Sequence, residues 1–185
     1  MARYRESLPQ LSGGFFLTDA GLETDIIFNK GVQIREFAAH TLLSQSSGRQ
    51  IIKEYFRGFL NLARDMNAGF QLDSQTWKAH MHWADNLKAT EAELKNANHD
   101  AIAFISELRE EFKGNTKPIV LNGLIGPRGD AYSPEENVSV EQAEIYHSKQ
   151  MPWLNVFGGC CGSDLRHVAE IAITNSGLIE QESAS

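Results

Sequence analysis

Two adjacent cysteines, Cys160 and Cys161, sit in the run Gly158-Gly159-Cys160-Cys161-Gly162 and are the only two in the chain. Thiolates are soft donors that suit zinc, and flanking glycines let a backbone turn tightly round an ion. A helix expected from Asp164 onward would point its N-terminus at them and favour the thiolate form. Two other readings stand beside metal binding: small apolar thiols packed in a core, or a redox-sensing pair. Neighbouring cysteines cannot staple distant loops, so a disulfide framework is excluded. Carboxylates form the second set. Asp19, Asp73 and Asp130 each follow a β-like run, where an acid can orient a ligand or cap the next turn. His80, His82 and His147 offer nitrogen ligands by type, but each reads as a surface or helix-face histidine.

The elements that must position these groups alternate short β-like runs with longer helical ones. Gly14–Thr18 reads as a first strand ending in the turn Asp19-Ala20-Gly21. From Gly48 the periodicity changes, and Ile52, Tyr55, Phe56, Phe59, Leu62, Ala63 and Met66 mark one buried helix face, stopped by Asn67 and Gly69. Phe70–Leu72 is the second strand. Thr90 with Glu93 forms a capping box for a helix whose stripe is Leu94, Ala97, Ile102, Ile105, Leu108 and Phe112, closed by Gly114 and Pro118. Ile119–Leu121 is the third strand, followed by the loop Gly126–Asp130. Ser139 with Gln142 opens a helix to about Gln150, and Leu154–Phe157 is the fourth strand. Asp164 caps a last helix carrying Leu165, Val168, Ile171 and Ala172. Four β-then-α units predict an α/β fold with a parallel sheet. Right-handed crossovers would gather Asp19, Asp73, Asp130 and the cysteine pair at one carboxyl-terminal rim.

Composition limits the alternatives. At 185 residues the chain makes a single domain, 1–185, with no linker or low-complexity segment. Its net charge of −7, with no Lys/Arg cluster, argues against binding a nucleic acid backbone. The polar N-terminus and the lack of a long apolar run predict a cytoplasmic protein with no membrane span.

Several stretches carry a resemblance to the zinc-dependent homocysteine S-methyltransferases, which include betaine- and S-methylmethionine-dependent enzymes. They are Leu17–Thr24 (LTDAGLET), Gly69–Trp77 (GFQLDSQTW), Leu124–Tyr132 (LIGPRGDAY), Tyr146-His147 and Val156–Gly162 (VFGGCCG). The resemblance implies a (β/α)8 TIM barrel with one zinc held by three cysteines. Homocysteine sulfur takes the fourth position and, as a thiolate, attacks a small-molecule methyl donor to give methionine. By position it makes Cys160 and Cys161 metal ligands. Asp19, Gly21 and Asp73 become substrate-binding residues, Asp19 facing the homocysteine ammonium. No catalytic residue is assigned. Trp77 and Trp83 read as packing, and the Gly126–Asp130 loop as architectural.

The chain departs from the family pattern in three places. Ala20 stands where a glycine is usual, and Asp73 where glutamate is common. The match skips the middle of the pattern at about residues 150–152, roughly four βα units at ~30 residues each. With those units go the cysteine of the first zinc ligand and a glutamate of the homocysteine pocket. About four βα units would then remain, with open sheet edges that predict a homodimer. A non-catalytic remnant or protein-interaction module of the same family is the alternative reading.

Overall fold

A computed structural model describes Tyr4 and residues 7–114, 117–124, 156–157, 165–166 and 169. Within them the chain runs β1 (Phe16–Leu17), α1 (Leu22–Thr24), α2 (Ser46–Asp65), β2 (Gly69–Asp73), α3 (Ala84–Leu87), α4 (Glu91–Glu111), β3 (Ile119–Asn122) and β4 (Val156–Phe157). The four strands form one parallel sheet in the order β3-β2-β1-β4. The expected α/β class and parallel pairing are therefore present. The described strands make an open four-stranded sheet, and a closed barrel is not among them. The fourth strand pairs with the first, Phe16 opposite Val156 and Leu17 opposite Phe157. Leu165, Arg166 and Ala169 are helical, where a last helix was expected.

Helix α2 forms because its apolar side chains recur every three or four residues, so one stripe can be buried. Ile52, Tyr55, Phe56, Phe59, Leu60 and Ala63 are buried along it, with Leu62 and Met66 packed at the margin. Asn67 ends the helix in the left-handed region at φ 51°, a conformation asparagine tolerates better than most residues. Gly69, expected as a helix stop, is instead the first residue of β2. It lies opposite Phe16 in the register, and a side-chain carbon there would overlap the Phe16 ring.

Helix α4 starts at the expected capping box. Thr90 Oγ1 accepts from the Glu93 N–H at 3.3 Å, and Glu93 Oε2 accepts from the Thr90 N–H at 2.8 Å. Its buried face differs from the expected stripe. Ala101 and Phe104 are buried with Leu94, Ile105 and Leu108, whereas Ile102 is 41 % exposed. At about 100° per residue, Ile102 and Phe104 lie on opposite shoulders of the stripe. Phe104 is the shoulder that faces α2, where the Arg49 guanidinium stacks on its ring at 5.0 Å.

The connection from β1 to α2 carries no strong periodicity in sequence, yet it is ordered into turns. After α1 the chain continues as a π-helical turn over Asp25–Asn29, then as 3-10 turns over Arg35–Phe37 and Ala39–Ser44. Ile26, Ile34, Ala39 and Leu43 from this stretch join the main core with Leu17, Phe70 and Leu72 of the sheet.

Candidate functional site

Strand β1 delivers Asp19 to the carboxyl-terminal rim, where it is only 8 % exposed. Its Oδ2 accepts a hydrogen bond from the Tyr55 hydroxyl at 3.1 Å, and the same hydroxyl accepts from the Ala20 N–H at 3.1 Å. Tyr55 reaches the rim from α2, its ring braced against Phe56 and Phe59 with centroids 5.1 and 4.9 Å away. Burial pushes the Asp19 carboxyl well above the usual carboxylate range. The nearby Asp73 charge and, more weakly, Glu23 add to this, and the Tyr55 hydrogen bond opposes it. Burial and the Asp19 charge in turn push the Tyr55 phenol upward, so it stays a hydrogen-bond donor.

Asp73 closes β2 and is half-buried. Its Oδ1 accepts from Asn122 Nδ2 at 2.9 Å and Gln71 Nε2 at 3.2 Å. Asn122 is also its register partner on β3, so parallel pairing itself brings that amide to the acid. Burial raises the Asp73 carboxyl, and the two amides work against the rise.

A third carboxylate joins them. Glu23, in the first turn of α1, accepts from Trp77 Nε1 at 2.9 Å; burial raises it, with the Trp77 bond and the Lys78 charge opposing. Lys78 is 2 % exposed, its ammonium 3.6 Å from the Trp83 ring centroid, 4.6 Å from Trp77 and 5.9 Å from Phe37. By sequence both tryptophans are expected to pack. Trp83 does pack, but Trp77 also holds an acid. Helical periodicity marks Tyr55 only as a core position, because it registers the ring and not the hydroxyl.

The loop after β2 is latched to the loop after β3. The Ser74 N–H donates to the Asn122 carbonyl at 2.9 Å, and the Leu124 N–H donates to Ser74 Oγ at 3.0 Å. Thr76 Oγ1 donates to the Leu124 carbonyl at 2.7 Å, so the Ser74 hydroxyl is the donor in its 2.7 Å contact with Thr76. Gln75, also buried, donates from Nε2 to the Asp73 carbonyl at 2.9 Å, and its Oε1 has no partner among the described residues.

The structure therefore brings Asp19 and Asp73 to one end of the sheet, as expected. Gly21 is buried beside them as the N-cap of α1, and its carbonyl accepts from the Asp25 N–H at 3.0 Å. Ala20 is accommodated in place of the usual glycine, buried and bonded through its N–H to Tyr55. His82 is exposed and His80 half-buried, 6.3 Å apart between ring centroids. Cys160, Cys161, Asp130 and His147 lie outside the described residues. Among the described residues no group of three or more His, Cys, Asp or Glu is arranged to hold a metal. Two thiolates would supply half of a tetrahedral zinc shell. Among the described residues, too, no helix is long and apolar enough to cross a membrane.

Comparison with known proteins gives a consistent picture. No curated protein sequence matches the chain. Among solved structures, the homocysteine methyltransferase MmuM from Escherichia coli, in its metallated form, is similar in fold, with a TM-score of 0.51 at 14 % identity. That likeness covers 90 % of this chain and 52 % of the other, so this chain spans about half the length of that relative. The sequence profile described as homocysteine S-methyltransferase matches residues 16–155, a span that holds Asp19, Gly21 and Asp73 and stops short of the cysteine pair. With most of its length inside that match, the chain belongs to the homocysteine S-methyltransferase family.

Proposed function

We propose that this chain binds homocysteine at the rim formed by Asp19, Gly21 and Asp73, and serves methyl transfer from a small-molecule donor to its sulfur, forming methionine. The observation that carries the reading is the buried Asp19 carboxylate at the end of β1, beside the half-buried Asp73 at the end of β2. Carboxylates taken out of water and set near each other are relieved by a cation, and an amino-acid ammonium is one. The sheet is then a sector of the family's (β/α)8 barrel, with its chemistry at the carboxyl ends of the strands.

Zinc is the metal this reading implies, with Cys160 and Cys161 as its proposed ligands. Zinc, when bound, would hold the homocysteine thiol as a thiolate at neutral pH. The part assigned to this chain's described residues is recognition: Asp19 and Asp73 receive the ammonium, and the Ser74–Thr76–Leu124 latch keeps the Asp73 loop fixed. The proposed setting is cytoplasmic.

Calorimetric titration of chelator-washed protein with L-homocysteine tests recognition, and zinc content per chain tests the metal. Saturable binding that weakens roughly 10- to 100-fold in Asp19→Asn, and about one zinc per chain lost in Cys160→Ser, are the expected results. A folded protein with neither would leave the alternative reading, a non-catalytic family remnant.

A further inference from the structure

We infer that Tyr55 is a positioning residue for the Asp19 carboxylate, its hydroxyl clamping that side chain to the backbone of the β1–α1 turn. The inference rests on the reading of Asp19 as the acceptor of the substrate ammonium. A phenol hydroxyl has one hydrogen. The Ala20 N–H occupies an acceptor site on it at 3.1 Å, and the hydrogen goes to Asp19 Oδ2 at 3.1 Å. One group therefore fixes both the turn and the acid that follows the strand. Packing alone gives no reason for the hydroxyl. The ring is held by Phe56 and Phe59, and a phenylalanine would fill the same space without burying a polar atom. Both of the hydroxyl's partners lie at the rim, 35 and 36 residues away in sequence.

The bond is made to the charged form of Asp19 and so favours it, against burial and against the acids Asp73 on β2 and Glu23 on α1. The other charges bearing on the cluster are Asp25, which acts on Tyr55, and Lys78, which acts on Glu23. Removing the hydroxyl lets the carboxyl rotate and moves its titration to higher pH. Homocysteine binding then weakens, most strongly on the acid side.

The test compares wild type, Tyr55→Phe, Asp19→Asn and the double variant by calorimetry with L-homocysteine across pH. Tyr55→Phe should bind about tenfold more weakly near neutrality, the size of one hydrogen bond to a charged group. Its acid limb should move to higher pH, and the double variant should bind no worse than Asp19→Asn. An unchanged pH profile, or an equal loss from Tyr55→Phe in the Asp19→Asn background, overturns the inference. A second readout needs no ligand: carbon-13 carboxyl NMR of Asp19. Its titration should move up in Tyr55→Phe and down when Tyr55 is replaced by the more acidic 3-fluorotyrosine, which also serves should Tyr55→Phe fail to fold. If Asp19→Asn binds homocysteine as wild type does, the ammonium reading fails, and the NMR titration still decides the role of Tyr55: no movement refutes it.

Discussion

Asp19→Asn should make the protein more stable while weakening its ligand binding. The substitution is nearly isosteric, and the amide oxygen can still accept from Tyr55. What changes is charge. The folded-state carboxyl titrates above its ordinary value of 3.8 because it is buried and faces other acids. Between that ordinary value and the raised one, the native state binds more protons than the unfolded chain. Stability contributed by this group therefore falls as pH rises through that window and then levels off. At pH 7 the cost cannot exceed about 4 kcal/mol, the work of protonating an ordinary carboxyl there. An asparagine does not titrate and escapes this cost, but its buried amide N–H groups need partners, at roughly 1–3 kcal/mol if one is missed. The net gain expected is about 1–3 kcal/mol near neutrality.

Urea denaturation of both proteins from pH 5 to 8 measures it. The gap in favour of Asp19→Asn should widen with pH before it flattens. In the same samples homocysteine affinity should fall roughly 10- to 100-fold, the range for losing a charge-assisted hydrogen bond. A variant that is less stable than wild type by an amount independent of pH would refute the reasoning. It would mean that the carboxylate is fully satisfied by its surroundings and that no cation is needed there.

Gly69→Ala should cost about 1–3 kcal/mol by overpacking against the Phe16 ring, read from the urea midpoint, and adding Phe16→Leu should recover part of the loss. His40 is buried, with its pKa pushed down to about 4 by desolvation. The unfolded chain therefore binds its proton first, and this group's share of stability is lost as pH falls from about 6.5 toward 4. His40→Gln should flatten that part of the stability–pH curve. Thr76→Val removes the donor to the Leu124 carbonyl and the acceptor for Ser74, and should lower stability by about 1–2 kcal/mol in thermal unfolding.

Those features that local chemistry determines were readable from the residues. The α2 stripe, the Thr90–Glu93 capping box and the left-handed stop at Asn67 each depend on neighbours within one or two turns. Ile102 and Phe104 changed places because both lie at the margin of the stripe. Only the position of α2, with Arg49 over Phe104, decides which side is covered. The turns from Asp25 to Ser44 bury Ile26, Ile34 and Leu43 without any regular spacing, so pattern counting finds no element there. Asp19 and Asp73 were legible because an acid directly after a strand in a parallel sheet has one rim to occupy. The hydroxyl of Tyr55, the indole of Trp77 and the Ser74–Thr76 latch were not. Each acts across 35 or more residues through a polar tip on a side chain that pattern reading counts as apolar, or through a loop with no pattern at all.

The same long-range contacts explain why a buried and a half-buried acid can be held together at the rim without the loop between them giving way. Asp19 is tied to α2 through Tyr55, and Asp73 to β3 through Asn122 and the latch at Leu124. Glu23 is tied to the loop after β2 through Trp77. Each acid therefore leans on a different element, so relaxing one would require shifting a helix or a strand rather than rotating a side chain. Lys78, the only buried lysine or arginine among the described residues, bears on Glu23 and is itself wrapped by Trp77 and Trp83; among the described residues no other buried cation faces Asp19 or Asp73. The described part of the rim thus holds more acids than cations, on a scaffold that prevents the acids from moving apart. A ligand bringing an ammonium group would offset that excess, and the affinity so gained is bounded by the stability that the empty rim gives up.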